Sequence, residues 1–296
     1  MRRRLDGVLL LDKPAGIGSN AVLQALKRLY AAAKAGHAGT LDPLASGLLP
    51  VLFGEATKFS QLALDADKEY VTRAQLGVTT TTADAEGQVL ERRPCNVHDA
   101  DIEPALAAFR GELEQVPPMF SALKHGGRPL YALARAGREV PRAPRRVRVL
   151  ELELVHFAAD CLELRIRCSK GTYIRTLVED IGRALGCGAH VAALRRTATG
   201  AFRIEDAVTL EQLQSDTAAA RDARLLPLER LLGGLPRVDL PAALAERFAL
   251  GQALRMEQAP LGQCSVYGQQ GRLLGLGEGR VAGELRPRRL VNHASG

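Results

Sequence analysis

Apolar residues recur along the chain in two rhythms, one of period two and one near 3.6, and the rhythms alternate from segment to segment. Val8, Leu9, Leu10 and Leu11 read as a short strand, closed by the turn signal Lys13-Pro14-Ala15-Gly16. Ser19 or Asn20 then stands where a helix cap is expected. Val22, Leu23, Leu26, Leu29 and Tyr30 share one face of the helix that follows, and Lys34 and Gly36 mark its end. From 36 to 50 the pattern breaks. Gly36, Gly39, Pro43 and Gly47 all precede Leu48, so no single regular element spans the stretch and a loop is expected.

Period-two alternation returns over 70–76 and is stronger over 147–155 and 162–166, which read as half-buried strands. Before the last two lies a segment with Pro117, Pro118, Pro129, Pro141 and Pro144, which reads as a long insertion at about 115–146. Ile174, Leu177, Val178, Ile181 and Leu185 place a helix over 172–185, packed on a sheet. Strands and helices intermix, which favours an α/β or α+β core. After Leu235-Pro236 the pattern becomes short apolar pieces separated by glycine, ending in Arg286-Pro287-Arg288-Arg289. This suits a small β-rich terminal module, giving expected domains 1–235 and 236–296.

Composition narrows the class. The 296 residues are 46% hydrophobic and 25% charged, as in a globular protein, and no run approaches the roughly 20 apolar residues of a membrane span. The apolar run over 8–11 is too short for a signal sequence behind the basic start, so a soluble cytoplasmic protein is expected. Cysteines at 95, 161, 168, 187 and 264 are odd in number and lack C-x-x-C spacing, and the histidines form no H-E-x-x-H pair. Neither a disulfide framework nor a metal site is signalled, and no cofactor is expected. The formal charge of +7 is local: Lys124, Arg128, Arg135, Arg138, Arg142, Arg145, Arg146 and Arg148 face one acid, Glu139, within 124–148, and eight minus one is +7. Such a segment is either a solvated loop or a clamp on a polyanion.

Familiar nucleotide signatures fail. The run Gly54-Glu55-Ala56-Thr57-Lys58 lacks P-loop spacing, Gly275-Leu276-Gly277 opens no Rossmann pattern, and Ser46 sits in no G-x-S-x-G elbow. What remains is Gly36-His37-Ala38-Gly39-Thr40-Leu41-Asp42-Pro43-Leu44-Ala45-Ser46-Gly47, where glycines permit tight backbone paths and an aspartate before proline is biased to extended backbone. Such a loop can present a carboxylate, and by spacing alone Asp42 fits a turn cap as well. Arg175 fits an exposed pair with Glu179 one helical turn away.

This loop resembles the signature of the TruB family, the tRNA pseudouridine(55) synthases. The similarity continues through Leu48-Leu49-Pro50-Val51, Gly54-Glu55-Ala56-Thr57-Lys58-Phe59, Lys68-Glu69-Tyr70, Ser169-Lys170-Gly171-Thr172-Tyr173-Ile174-Arg175 and Leu194-Arg195-Arg196-Thr197, in the family's order. It covers most of the chain. It departs at Ala198 and Ala201, where the family often has a basic residue and a proline, a difference that bears on one phosphate contact and not on the catalytic set.

The resemblance implies an α+β pseudouridine synthase core, with a mixed, mainly antiparallel sheet flanked by helices, and a C-terminal PUA-like RNA-binding module. It implies that Asp42 is the nucleophilic carboxylate, that Arg175 holds it by a charge-assisted contact, and that Tyr70 stacks on the target base and assists proton removal. Tyr173 and Leu194 would line the uridine pocket, with His37 a further substrate contact. The reaction would convert uridine 55 of the tRNA T loop to pseudouridine by base flipping, with Lys124, Arg128, Arg135, Arg138, Arg142, Arg145 and Arg146 on the RNA backbone. A monomer acting on tRNA, with no membrane and no obligatory protein partner, is expected. Two other roles fit the same pattern: a tRNA-folding chaperone, and a guide-RNA-dependent synthase subunit.

Overall fold

The computed structural model describes residues 2–257, 259–281 and 283–292. Its largest sheet runs in the order Val208–Thr209, Gly7–Lys13, Ser46–Phe53, Ala189–Thr199, Lys68–Leu76, Cys161–Cys168, Arg145–Ala158 and Gly111–Gln115, with Ala35–His37 and Phe202–Arg203 attached beside this path. Gly7–Lys13 pairs parallel with Val208–Thr209, and Ala189–Thr199 pairs parallel with Ser46–Phe53. The other pairings in this sheet are antiparallel, so it is mixed and mainly antiparallel, as the resemblance implies.

Period two explains why the central strands sit here. In Gly7–Lys13, Leu9 and Leu11 join one hydrophobic cluster while Val8 and Leu10 join another on the opposite face. Ser46–Phe53 behaves likewise, sending Leu49, Val51 and Phe53 one way and Leu48 and Leu52 the other. Both strands are covered on both faces and therefore read as continuous apolar runs. Helices Ser19–Leu29 and Ile174–Ala184 cover the first face through Val22, Leu23 and Leu26, and through Ile174, Leu177, Val178 and Ile181. Each of these fully buried aliphatic side chains stabilises the fold by about 1.5–3 kcal/mol.

Two expectations need correction, and one is filled in. The residue before helix Ser19–Leu29 is Gly18, and no side chain caps it; the Ser19 hydroxyl is engaged with Leu41 instead. The stretch 36–50 is not loop throughout, because its ends belong to strands Ala35–His37 and Ser46–Phe53, which pair with each other. The basic segment carries its own elements: a hairpin of Lys124–His125 with Arg128–Pro129, followed by helix Leu130–Arg135.

A second sheet, ordered Arg237–Asp239, Gly262–Tyr267, Leu273–Arg280, Glu284–Leu290 and Leu254–Arg255, has its own core of Val238, Phe248, Leu254, Val266 and Leu285 with helix Ala242–Ala249. Phe59, Leu232, Leu273 and Leu276 form a cluster that ties it to the larger part, where Lys58 also donates to the Leu290 carbonyl. The final residues of the expected terminal module, 293–296, lie outside the described residues. Among the described residues no helix is long and apolar enough to cross a membrane.

Candidate active site

The Asp42 loop is held from four sides. Leu41 and Ala45 are buried in the core on either side of Asp42, so the intervening carboxylate turns outward. The Ser19 hydroxyl donates to the Leu41 carbonyl and accepts from the Leu41 N–H, both at 2.8 Å. Gly16 N–H donates to the Pro43 carbonyl and Ala38 N–H to that of Pro50. The fourth support is the Arg196 guanidinium, which donates to the carbonyls of Gly39 and Leu48. Glycine is required where the loop enters Ser46–Phe53: Gly47 has φ +101°, and a Cβ there would lie 2.3 Å from the Arg196 carbonyl oxygen.

Arg175 opens helix Ile174–Ala184, and its side chain is 5% exposed. Its Nη2 lies 3.0 Å from Asp42 Oδ2 and donates to the Phe120 carbonyl at 2.6 Å. Its Nη1 donates to the Thr82 carbonyl at 3.0 Å and lies 3.6 Å from Asp84 Oδ2. The helical pair with Glu179 does not form; Arg175 points off the helix into the loops, where backbone carbonyls absorb its remaining donors. One guanidinium thus stands between two carboxylates. Asp84 is itself fixed by the Thr82 hydroxyl and the Glu86 N–H.

The Asp42 pKa lies above the usual carboxylate value. Burial is the main cause and the Asp84 charge adds to it, while Arg175 and, more weakly, Lys13 oppose it. The side chain keeps 38% of its surface open to the cleft, so solvent moderates these effects although protein encloses its other sides. Lys13 is fully buried, donates to the carbonyls of Pro14 and Ile17, and is pushed down to about 8 by burial against the pull of Asp42.

Asp42, Tyr70, Tyr173, Arg175, Leu194 and Arg196 line one cavity of about 360 Å³, within the range of small-molecule sites. The structure therefore brings together five of the residues singled out in the sequence. Tyr70 stands on Lys68–Leu76 directly across from Arg196, its phenol raised by burial and drawn back by the Arg196 charge. Tyr173 is tied through its backbone N–H to Gln115 Oε1 at 3.0 Å, and burial raises its phenol as well. Ser121, Ala122 and Leu123, just before the basic hairpin, also line the cavity.

His37 is not brought to this cavity. It pairs with Val51 on strand Ala35–His37, its buried Nδ1 has no hydrogen-bond partner among the described residues, and burial lowers its pKa. None of the seven basic residues singled out in the sequence lines this cavity. Lys124 and Arg128 are exposed on the hairpin, Arg135 lies over the Tyr131 ring, Arg138 is exposed, Arg142 pairs with Glu139, and Arg145 and Arg146 stand across from Gln115 and Glu114. Sequence reasoning misses Ser19, Asp84, Lys13, Lys68 and Arg196 as parts of this site. For Lys68 and Arg196 the motifs containing them are the available signal, whereas Asp84 follows a plain run of threonines.

Family models match nearly the whole chain: the TruB family pseudouridylate synthase N-terminal domain over 27–174, the tRNA pseudouridylate synthase B C-terminal domain over 175–233, and the pseudouridine synthase II TruB C-terminal over 236–291. The chain is 53% identical over 295 residues to the tRNA pseudouridine synthase B of Azoarcus sp. (strain BH72), covering 100% of this chain and 98% of that protein. It is 55% identical over 297 residues to the protein of the same name from Burkholderia mallei (strain NCTC 10247), covering 98% of each. Among solved structures, a chain in the crystal structure of a Cbf5-Nop10-Gar1 complex superposes with a TM-score of 0.72 at 28% identity, covering 94% of this chain and 79% of that one. With family models along its length and relatives more than half identical from end to end, this chain belongs to the TruB family of pseudouridylate synthases.

Proposed function

We propose that the protein converts uridine 55 in the T loop of tRNA to pseudouridine, with Asp42 as the reacting carboxylate, Arg175 as its counter-ion and Tyr70 as the group that stacks on the base and takes up its C5 proton. The observation that carries this reading is the Asp42–Arg175 contact at 3.0 Å in a cavity shared with Tyr70. The names of the relatives support tRNA as substrate.

The isomerisation breaks the bond from C1′ to N1 and forms one from C1′ to C5. C5 loses a proton and N1 gains one, so no electrons are exchanged and side chains suffice. Both available routes, attack on C1′ and removal of the 2′ proton, begin from an ionised Asp42. Burial and Asp84 work against that ionisation, and Arg175 supports it. Extruding the uridine costs about a few kcal/mol, which stacking on Tyr70 and phosphate contacts from the basic residues of 124–146 offset. His37 contacts the RNA outside the cavity, while Tyr173 and Leu194 form its walls. Residues 1–235 act as the catalytic domain and 236–296 as a PUA-like RNA-binding module. The enzyme works as a cytoplasmic monomer, in keeping with a tRNA substrate and cysteines free of disulfides.

The test is incubation of the purified chain alone with an unmodified tRNA transcript, followed by mapping of pseudouridine. Product at position 55, absent when that uridine is replaced by cytidine, is expected. Binding without product there overturns the assignment and leaves the folding-assistance role; product formed only when a guide RNA is added leaves the guide-dependent one.

A further inference from the structure

Arg196 is among the largest fully buried side chains of the protein, 1% exposed, yet the proposed reaction steps do not require it. A buried cation is costly unless it is paired. Among the described residues its hydrogen bonds go to neutral groups: Nε donates to the Leu48 carbonyl at 2.7 Å and Nη2 to the Gly39 carbonyl at 3.0 Å, while Tyr70, its partner in strand register, lines the same cavity. Two more buried cations, Lys13 and Lys68, feel its repulsion, as does His37. Keeping a charge under these conditions calls for a use beyond bonding two carbonyls.

Its position supplies one. Arg196 and Tyr70 are direct partners in the register of Ala189–Thr199 and Lys68–Leu76, while the backbone of Arg196 pairs with Gly47 on the other side. The side chain then reaches over Gly47 to Gly39, three residues before Asp42, where a Cβ would sit 3.2 Å from Nη1. The Arg196 side chain therefore starts beside Tyr70 and ends on the backbone that leads to the carboxylate. We propose that Arg196 is a positioning residue that holds Tyr70 beside the Asp42 loop and so fixes the separation of the two groups.

The groups facing the Tyr70 phenol from neighbouring elements are Arg196 on Ala189–Thr199, Cys168 on Cys161–Cys168 and Asp42 on the loop. Cys168 and Asp42 disfavour the phenolate, so Arg196 is the cation that opposes them. A planar guanidinium can span two carbonyls at once. A lysine keeps the charge but cannot make the same fork.

The inference rests on Tyr70 acting on the base as proposed, so the experiment has two arms. The first is a double-mutant cycle of Arg196→Lys and Tyr70→Phe, read as single-turnover rate on a tRNA transcript and as tRNA affinity. Arg196→Lys is expected to slow turnover about tenfold without weakening tRNA binding, and to cost less than about twofold in the Tyr70→Phe background, as for coupled residues in contact. Equal losses in both backgrounds overturn the proposal. The second arm does not depend on catalysis. A difluorotyrosine placed at position 70 is titrated by fluorine NMR in the parent, Arg196→Lys and Arg196→Gln proteins, each checked for folding by circular dichroism. Loss of the charge in Arg196→Gln raises the midpoint by about one pH unit or more, and Arg196→Lys leaves it near the parent value. An unmoved midpoint in folded Arg196→Gln overturns the proposal; if Arg196→Gln does not fold, the double-mutant cycle decides. If Tyr70→Phe turns over like the parent, the role given to Tyr70 fails, and the titration alone judges the contact with Arg196.

Discussion

Replacing Arg175 by methionine removes the cation between Asp42 and Asp84 while keeping most of the side chain's length. With Nη2 3.0 Å from the carboxylate oxygen, the charge centres lie about 4 Å apart, a separation worth about 4 kcal/mol at an effective dielectric near 20. Because 38% of the Asp42 side chain is open to solvent, about half of this is a fair working value. At 1.36 kcal/mol per tenfold change in proton affinity, the acid limb of kcat/KM moves up by about one to two pH units. The sign follows from the proposed chemistry, in which Asp42 acts ionised: Arg175 favours that form, and its loss means activity fails at a higher pH as the solution is acidified. Tritium released from a transcript labelled at uridine C5, followed from acidic to mildly alkaline pH at constant ionic strength, measures the limb. Arg175→Lys, which keeps the charge, leaves the limb near its original position and separates electrostatics from packing. An acid limb that stays put in Arg175→Met, in protein shown to be folded, refutes the electrostatic role.

Ser19→Ala leaves the buried N–H and carbonyl of Leu41 without their partner and lowers stability by about 1–3 kcal/mol in chemical denaturation; an unchanged midpoint would show that the Asp42 loop does not lean on Ser19. Neutralising Arg128 and Arg138, both exposed, weakens tRNA binding and flattens the fall of log affinity with log salt by about 0.7–0.9 for each phosphate the protein no longer neutralises, with little change in turnover at saturation. An unchanged slope places the RNA elsewhere.

The helices are legible in the sequence because their contacts repeat locally: the residues at helical spacing in Ser19–Leu29 and Ile174–Ala184 are the ones buried against the sheet. Strand Ser46–Phe53 is hidden by Gly47 and Pro50, residues that argue against a strand on local grounds. Gly47 is there because the Arg196 backbone comes too close for a side chain, a fact of the sheet and not of the segment. Ser19 looks like a helix cap for a similar reason, since its hydroxyl serves a loop distant in sequence. Asp42 and Arg175 stand out through family resemblance; spacing alone favours a turn cap and a Glu179 pair. Asp84 joins the site through a turn and leaves no local pattern, whereas Arg196 joins it through strand register and is flagged in the sequence only by the motif that contains it.

On the proposed mechanism the Asp42 carboxylate, and not merely the RNA-binding surface, performs the isomerisation. Its most direct test is Asp42→Asn, nearly isosteric and unable to ionise, measured for tRNA affinity and for pseudouridine formed in a single turnover at saturating enzyme. Affinity close to that of the parent is expected, with no product above background. Appreciable pseudouridine from the asparagine protein, free of deamidation by mass spectrometry, would contradict the claim.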